Sequence, residues 1–267
     1  MDKGHDAWAS KGRSDLILQI LHSRRSVKVT ELCAMLKLSE ITIRRTLNEM
    51  ADKGLVIRVH GGAMLGDTGE DTLFFDKRAR QNQLVKQMLA KEAVRLLPPS
   101  GSIYLDSGST CLQVAREVAN SGKEYLIVTD NILIPQETFG MPRVETMLLG
   151  GTLARDKVTV DGYVAHDNAK KFAMDVCLFS ANGFTTQEIS NYYLSGVATK
   201  EIMIQRAKKS VCIIDSTKYD NQSRFHFCRW DNVNEMITDS ALPRNAMEAI
   251  AAHGVKIHSV DVDDHDV

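Results

Sequence analysis

Two arginines next to each other, Arg44 and Arg45, have the chemistry of a nucleic-acid reader. Their guanidinium groups can bind phosphates or make paired hydrogen bonds to the edge of a guanine. Hydroxyl and amide side chains close by can add hydrogen bonds to phosphates and bases. The predicted DNA-binding residues of this segment are Ser39, Thr42, Arg44, Arg45 and Asn48.

The segment that positions these residues reads as a helix with defined ends. Ser39 is a good N-cap, and Gly54 suits the left-handed position just after a helix ends. Ile43, Leu47 and Met50 recur at helical spacing and form one apolar face, which leaves the polar set on another face. Spacing alone is equally compatible with a small helical bundle that has a solvated charged face.

The neighbouring segments predict a winged helix-turn-helix over residues 1–65. Two helical stripes come first, followed by the short turn 37–39 that leads into the reading helix. Val56–Val59 is β-branched and ends at the turn Gly61-Gly62, which is typical of one arm of a wing hairpin. Arg58 and His60 are expected to contact the DNA backbone or minor groove from this wing. The two stripes are Leu16, Ile17, Ile20 and Leu21, then Leu32, Met35 and Leu36.

The distribution of charge agrees with this prediction. The chain has 267 residues and a net charge of −1, but its first 65 residues have eleven Lys and Arg against seven Asp and Glu. The basic excess therefore lies where contact with phosphates is predicted. No apolar stretch approaches a bilayer span, and the five dispersed cysteines indicate reduced core residues. These features predict a cytoplasmic protein that is neither exported nor inserted in a membrane.

Beyond a Gly- and Asp-rich linker, assigned to 66–80, short apolar strands alternate with helices. This alternation predicts an α/β domain at 81–260 with a mostly parallel sheet covered on both faces, followed by an acidic tail at 261–267. The predicted strands begin near Ile103, Tyr125, Val144, Val176, Val211, Met236 and Val255.

Small or polar residues follow these strands, where the carboxyl ends of a parallel sheet form a binding crevice. The Asp-Ser-Gly-Ser-Thr sequence of 106–110 opens into a helix, so its amides and hydroxyls can hold an anion. Together the loops predict a pocket for a phosphorylated, hydroxyl-rich molecule, although each motif alone is compatible with a cap, a turn or a solvated lysine. The predicted residues are Asp106, Ser107, Gly108, Ser109, Thr110, Thr129, Asp130, Asn131, Gly150, Gly151 and Lys218. Neither a metal nor a cofactor is expected, since the histidines show no ligand spacing.

With these motifs together, the chain resembles a bacterial DeoR-family transcriptional regulator from about residue 15 to 239. The family signature, Ser-x-x-Thr-Ile-Arg-Arg-Asp-Leu-Asn with an Arg-x-x-Gly-Gly wing, corresponds to 39–48 and 58–62. The resemblance implies a sensor domain akin to the ribose-5-phosphate isomerase and CoA-transferase fold, which also oligomerises. It implies effector roles for the loop 106–110, Thr129, Gly150, Gly151 and the two lysines Lys200 and Lys218.

Three departures from the family pattern concern specificity. Thr46 stands where the family usually has Asp, so a charge partner for an arginine is missing. Asp130 stands where Asn is usual, and an added carboxylate beside a phosphate is unfavourable unless it is paired. Glu188-Ile-Ser190 replaces a Gly-x-Ser/Thr stretch. The last two changes bear on the identity of the effector.

The predicted function is that of a DNA-binding regulator, a dimer or tetramer, that represses carbohydrate-metabolism genes and is released from double-stranded operator DNA by a phosphorylated sugar or a related metabolite. Two alternatives stay open. One is a sugar-phosphate isomerase or acyl-CoA transferase with an appended DNA reader, in which Asp106, Asp130, Asp215 and Lys218 supply a base and an electrophile. The other is a reader whose second domain only oligomerises.

Overall fold

The computed structural model describes residues 13–14, 16–17, 20–21, 26–52, 55–59, 61–65, 71–154 and 158–262. Two compact units divide the chain, Met1–Phe74 and Phe75–Val267. Gly54, His60, the first five residues of the assigned linker and most of the acidic tail lie outside the described residues. The remainder of the range assigned as a linker is helical, because helix α4 spans Asp71–Arg80.

The first unit has the elements of a winged helix-turn-helix. Helical positions at 13–14, 16–17 and 20–21, here called α1, precede β1 (Ser26–Lys28), α2 (Val29–Leu36) and α3 (Glu40–Asp52). The wing hairpin consists of β2 (Val56–Val59) and β3 (Gly62–Leu65), and β1 pairs with β3, so the antiparallel order is β1-β3-β2. The strand β1 was not predicted, since three residues are too few to show a period.

One apolar face of each helix forms the core of this unit. Ile17, Leu21 and Leu32 are fully buried together with the predicted face of α3. Leu16 and Met35, which also belong to the predicted stripes, are half exposed. Each of them lies next in the chain to a more buried residue, and consecutive helical residues point about 100° apart.

A seven-stranded sheet forms the centre of the second unit, and every pair of neighbouring strands in it is parallel, as predicted. The order is β15-β14-β12-β9-β4-β5-β6. Its strands are β4 (Ser100–Leu105), β5 (Glu124–Thr129), β6 (Val144–Leu148), β9 (Met174–Phe179), β12 (Ala207–Ile213), β14 (Glu235–Asp239) and β15 (Lys256–Val260).

Helices cover both faces of this sheet, because alternate strand residues point to opposite sides. Ile103 packs in a cluster with residues of α5 and α6, whereas Tyr104 packs with residues of α8, α9 and α10. The helices are α5 (Gln83–Leu96), α6 (Ser109–Asn120), α7 (Ile134–Thr138), α8 (Tyr163–Ala169), α9 (Val197–Arg206) and α10 (Arg244–Ala251). In the described residues, none of these helices has both the length and the apolar character needed to cross a bilayer.

Two small antiparallel sheets accompany the large sheet. Thr152–Leu153 (β7) pairs with Val160–Asp161 (β8), and a three-stranded sheet has the order β10-β11-β13. Its strands are Gly183–Phe184, Glu188–Asn191 and Phe225–Arg229. Glu188, the first residue of the departing Glu-Ile-Ser stretch, pairs with His226 at 3.2 Å. These additions were not predicted, because two- to five-residue strands give no clear alternation.

Candidate functional site

The reading helix α3 has the predicted N-cap. The Ser39 Oγ accepts a hydrogen bond from the Thr42 amide at 3.2 Å and lies 2.8 Å from the Thr42 hydroxyl. This contact satisfies one of the unpaired first-turn amides, so the helix begins at Glu40 and presents its first turn outward. The C-terminal cap predicted at Gly54 lies outside the described residues.

The two faces of α3 separate as the spacing predicts. Ile43 and Leu47 are fully buried, while the side chains of Arg44 and Arg45 are 49% and 67% exposed. Arg44 donates to Glu40 at 2.9 Å, and the Arg45 Nε lies 3.5 Å from a Glu49 oxygen. Exposed pairs of this kind contribute little free energy, so both guanidinium groups are available to exchange a glutamate for a phosphate.

Thr46 belongs to the buried side of the helix. It is 2% exposed, and its hydroxyl donates to the Thr42 carbonyl at 3.0 Å. A residue at this position therefore faces the core of the unit, and the glutamates one helical turn from each arginine hold the guanidinium groups instead.

A close backbone approach explains the paired glycines of the wing. Gly61 has φ +77°, which favours glycine, and a Cβ on Gly62 would lie 2.4 Å from the Val27 carbonyl oxygen of β1. Arg58 reaches across the hairpin and donates to the Gly62 carbonyl at 2.7 Å. The wing is thus a small fixed sheet that holds Arg58. His60 lies outside the described residues.

Ile41 is a feature of the reading surface that sequence reasoning missed. Its side chain is 82% exposed in the first turn of α3, beside the half-buried Thr42. The signal was available, since an isoleucine two residues before Ile43 cannot share the buried face of the same helix.

In the second unit, the predicted loop residues meet at the carboxyl edge of the sheet. Asp106, after β4, is 2% exposed, and its Oδ2 accepts a hydrogen bond from the Ser180 amide at 2.7 Å. The same oxygen lies 3.2 Å from the Lys200 ammonium, which donates to the Ser180 carbonyl at 2.7 Å. Lys200 also lies 4.9 Å from the centre of the Phe227 ring. These two predicted residues therefore form a buried ion pair joining β4, β9 and α9.

Two further predicted residues hold neighbouring loops together. The Thr129 hydroxyl donates to the Leu105 carbonyl at 2.7 Å and accepts from the Asn131 amide at 3.0 Å. The Asn131 side chain donates to the Ser107 carbonyl at 3.1 Å and accepts from the Leu133 amide at 2.8 Å. Their polar atoms thus cross-link the loops that follow β4 and β5.

The carboxyl group of Asp130, which lies between Thr129 and Asn131 in the chain, is buried without such hydrogen bonds in the described part of the structure. It is fully buried, and neither carboxylate oxygen has a hydrogen-bond partner among the described residues. Burial raises the pKa of this carboxyl well above its usual range; the charge of Asp106 adds to the rise and Lys200 opposes it. Unpartnered buried hydroxyls occur at Thr110, Ser180 and Thr199, in the loops and first helical turns around Asp106 and Lys200.

The remaining loop residues shape the backbone. Helix α6 begins at Ser109, so the loop 106–108 leads directly to the N-terminus of a twelve-residue helix. The Ser107 hydroxyl donates to Asp106 at 3.3 Å. Gly150 has φ +74°, and a Cβ on Gly151 would lie 2.6 Å from the Asp161 carbonyl oxygen, so this pair permits the turn into β7.

Lys218 lies in a second charged group beside the sheet. Its ammonium donates to the Ala181 carbonyl at 2.9 Å and lies 3.6 Å from Asp215. Asn82 donates to the same Asp215 at 3.1 Å. The buried Lys86, which sequence reasoning missed, donates to the carbonyls of Arg78 and Gln81, and burial followed by repulsion from Lys218 lowers its pKa to about 8.

Both units of the chain match domain models of the same protein family. Residues 13–68 match the DeoR-like helix-turn-helix domain, and residues 81–240 match the DeoR C terminal sensor domain. The chain is a DeoR-family transcriptional regulator. Both family models cover the units that carry the reading helix and the buried polar loops, so the family prediction and the predicted fold class are confirmed.

Curated relatives of this DeoR-family regulator match it over most of their length. The HTH-type transcriptional regulator GolR of Listeria innocua is 28% identical over 86% of this chain and 91% of its own. The glycerol-3-phosphate regulon repressor of Escherichia coli is 24% identical over 92% and 97%. The L-fucose operon activator of Haemophilus influenzae is 26% identical over 91% and 97%.

Among solved structures, the regulator aligns with ribose 5-phosphate isomerase A of Neisseria gonorrhoeae at a TM-score of 0.36 and 20% identity. The alignment covers 52% of this chain and 54% of the isomerase chain, so the regulator spans about half of that protein.

Proposed function

We propose that this DeoR-family regulator represses genes of carbohydrate metabolism and leaves double-stranded operator DNA when its sensor domain binds a phosphorylated sugar. The observation that carries the proposal is the set of buried, unpartnered polar groups around Asp106 and Lys200, beside the N-terminus of α6. Buried polar groups are normally paired, and a sugar phosphate would supply both hydroxyls and an anion for that helix end. Relatives named for a glycerol-3-phosphate regulon and a fucose operon support a small carbohydrate-derived effector.

On the DNA side, we assign Arg44 and Arg45 to phosphates and base edges, because they are the exposed cations of α3. Ser39, Thr42 and Asn48 assist from the same surface. Arg58 and His60 contact the backbone or minor groove from the wing. A regulator that binds its operator in this way acts in the cytoplasm, where the DNA is.

On the effector side, we assign Ser107, Gly108, Ser109 and Thr110 to the phosphate and Lys218 to the rim of the site. Asp106, Lys200, Thr129 and Asn131 position the loops, since their polar atoms already have protein partners. Gly150 and Gly151 keep the neighbouring turn close to the sheet.

The same engaged groups support binding without turnover. Asp106 is paired with Lys200, and Asp215 lies beside Lys218, so these acids are not free to remove a proton from a substrate. Burial raises the pKa of Asp130, which disfavours the carboxylate form that a base needs. We therefore propose that the sensor domain is not an isomerase or a transferase.

We also propose that the regulator is a dimer or tetramer. Paired half-sites need paired readers. Strand β6 lies at one edge of the large sheet and carries the exposed apolar residues Met147 and Leu148. Exposed apolar edges of this kind favour association. Light scattering of the purified protein tests this assignment.

The first test is fluorescence anisotropy on DNA from beside the protein's own gene, at fixed salt, with a panel of sugar phosphates. We expect specific binding that one class of compound releases. Replacing Arg45 by Ala should cost about 1–3 kcal/mol and relax sequence preference at one position, because a bidentate contact to guanine is lost.

Arg95→Ala is the matched control for this variant, since Arg95 is an exposed helical arginine paired with a glutamate in the second unit. Its operator affinity should equal that of the wild type. Salt-sensitive binding that ignores both sequence and every sugar phosphate would contradict the proposed function.

A further inference from the structure

The carboxyl group of Asp130 has an unusual environment for an acidic side chain. It follows β5 and is fully buried, and both of its oxygens lack a hydrogen-bond partner among the described residues. A Cβ built on Gly196 would lie 3.1 Å from Oδ2 of Asp130 and 3.5 Å from the Ser107 hydroxyl. Asp130 and Ser107, which belongs to the loop that opens α6, therefore both lie beside Gly196.

Two other acids that follow strands of the large sheet each lie beside a cation. Asp106 lies 3.2 Å from Lys200, and Asp215 lies 3.6 Å from Lys218. The Lys200 ammonium is directed to Asp106 and to the Ser180 carbonyl. In the described part of the chain, no cation lies within ion-pair distance of the Asp130 carboxylate, and the uncharged Tyr104 hydroxyl lies near it without making a well-formed hydrogen bond.

An unpaired buried carboxylate is costly, and a group in this position becomes neutral unless a cation joins it. A neutral carboxyl offers one donor and one acceptor to a ligand hydroxyl. An uncharged amide such as that of asparagine likewise offers donors and an acceptor. The property that separates aspartate from asparagine here is the ability to pair with a positive charge.

We propose that Asp130 pairs with a protonated amine of the effector, which makes the effector a phosphorylated amino sugar. This inference rests on the proposed function of the sensor domain. The amine pairs with Asp130, the phosphate lies at the N-terminus of α6 beside the unpartnered Thr110 hydroxyl, and other buried hydroxyls accept the sugar hydroxyl groups. The positive amine also removes the repulsion between Asp130 and the phosphate.

A matched pair of ligands tests the proposal on the full-length protein. Glucose 6-phosphate and glucosamine 6-phosphate differ in one substituent, as do galactose 6-phosphate and galactosamine 6-phosphate. We expect calorimetry to show that the amino member of a pair binds at least about tenfold more tightly. In Asp130→Asn, which keeps the size of the side chain, this preference should disappear or reverse.

Asp167→Asn is the control, because Asp167 is an exposed acid on α8 paired with Lys171. It should keep the wild-type preference. Equal binding of amino and hydroxyl members to the wild type overturns the inference and leaves the proposed function intact. If no phosphorylated sugar of either kind binds, the proposed effector class fails, and the inference fails with it.

Proton release provides a second readout that needs only the wild type. Burial raises the pKa of Asp130, and binding of an ammonium beside it favours the carboxylate, so a proton held by the free carboxyl leaves to the buffer. Calorimetry in buffers of different ionisation enthalpy should detect more proton release with the amino sugar than with its hydroxyl partner. The titratable groups that face Asp130 are Tyr104, Asp106, Cys177 and Lys200. Equal proton release with both ligands would contradict the pairing.

Discussion

At the scale of single residues, α3 exposes two kinds of side chain. Arg44 and Arg45 provide charge, whereas Ile41 places an apolar β-branched side chain, 82% exposed, in the first turn. The N-terminal residues of a reading helix are the ones that approach base edges, and the thymine methyl is the apolar group available in the major groove. We therefore expect Ile41 to contact a thymine methyl group of the operator.

Replacing Ile41 by Ala should weaken operator binding by about 1 kcal/mol, because contact with one methyl group is lost. Deoxyuridine in place of the contacted thymine should cause the same loss, and the two changes together should cost no more than either one. Anisotropy on the four combinations measures this coupling. Met35→Ala, at an exposed position on α2, is the control: its loss of operator affinity should simply add to the loss caused by deoxyuridine at any position. If the losses from Ile41→Ala and from deoxyuridine also add, Ile41 does not contact the methyl group.

At the scale of elements, the Asp106–Lys200 pair joins the end of β4 to α9 and, through Ser180, to β9. The motif alone predicts that Asp106→Ala abolishes the effector response and leaves DNA binding intact. The buried pair adds an effect on stability. Removing one member leaves an uncompensated charge, and breaking buried pairs of this kind costs about 3–5 kcal/mol.

Lys200→Met should therefore lower the free energy of unfolding of the sensor domain by about 3–5 kcal/mol, as measured by urea unfolding. The double variant with Asp106→Asn should recover part of that loss, because no charge is then left unpaired. Lys208→Met removes an exposed pair with Asp175 and should cost less than about 1 kcal/mol. If Lys200→Met were as mild as Lys208→Met, the pair would not stabilise this junction.

At the scale of the whole molecule, the chain has a separate hydrophobic core in each of its two units. Ile17, Leu21, Ile43 and Leu47 belong to the first unit, and their cluster contains no residue of the second. Separate cores allow separate unfolding. We therefore expect damage to the core of one unit to stay within that unit.

Leu47→Ala removes a fully buried side chain from α3 and should destabilise the first unit by about 2–5 kcal/mol. Hydrogen exchange read by mass spectrometry should accelerate over 26–65 and stay unchanged over 83–251. Ile127→Ala, at a fully buried position of β5 in the large sheet, should show the opposite pattern. Faster exchange throughout the chain in both variants would mean that the two units unfold as one.

Much of the fold followed from local patterns. The apolar face of α3, its cap at Ser39 and the seven parallel strands were predicted because each depends on residues close together in the chain. The helix α4 was assigned to a linker, because Gly and Asp precede it and its apolar residues are few. The wing strand β1 and the small sheet of β10, β11 and β13 are stabilised by pairing with distant segments, which no local period reveals.

The polar loops show the same division. The sequence by itself determined that Asp106, Thr129, Asp130 and Asn131 lie at the ends of β4 and β5, since strands and turns are local. Only the tertiary structure decided which of them have partners. Asp106 meets the Ser180 amide 74 positions away, and Thr129 meets the Leu105 carbonyl 24 positions away. The Asp130 carboxylate meets no backbone donor in the described residues, although its carbonyl accepts from the Val160 amide. A hydrogen bond depends on where distant backbone atoms come to lie, and that is settled when the sheet and its helices pack.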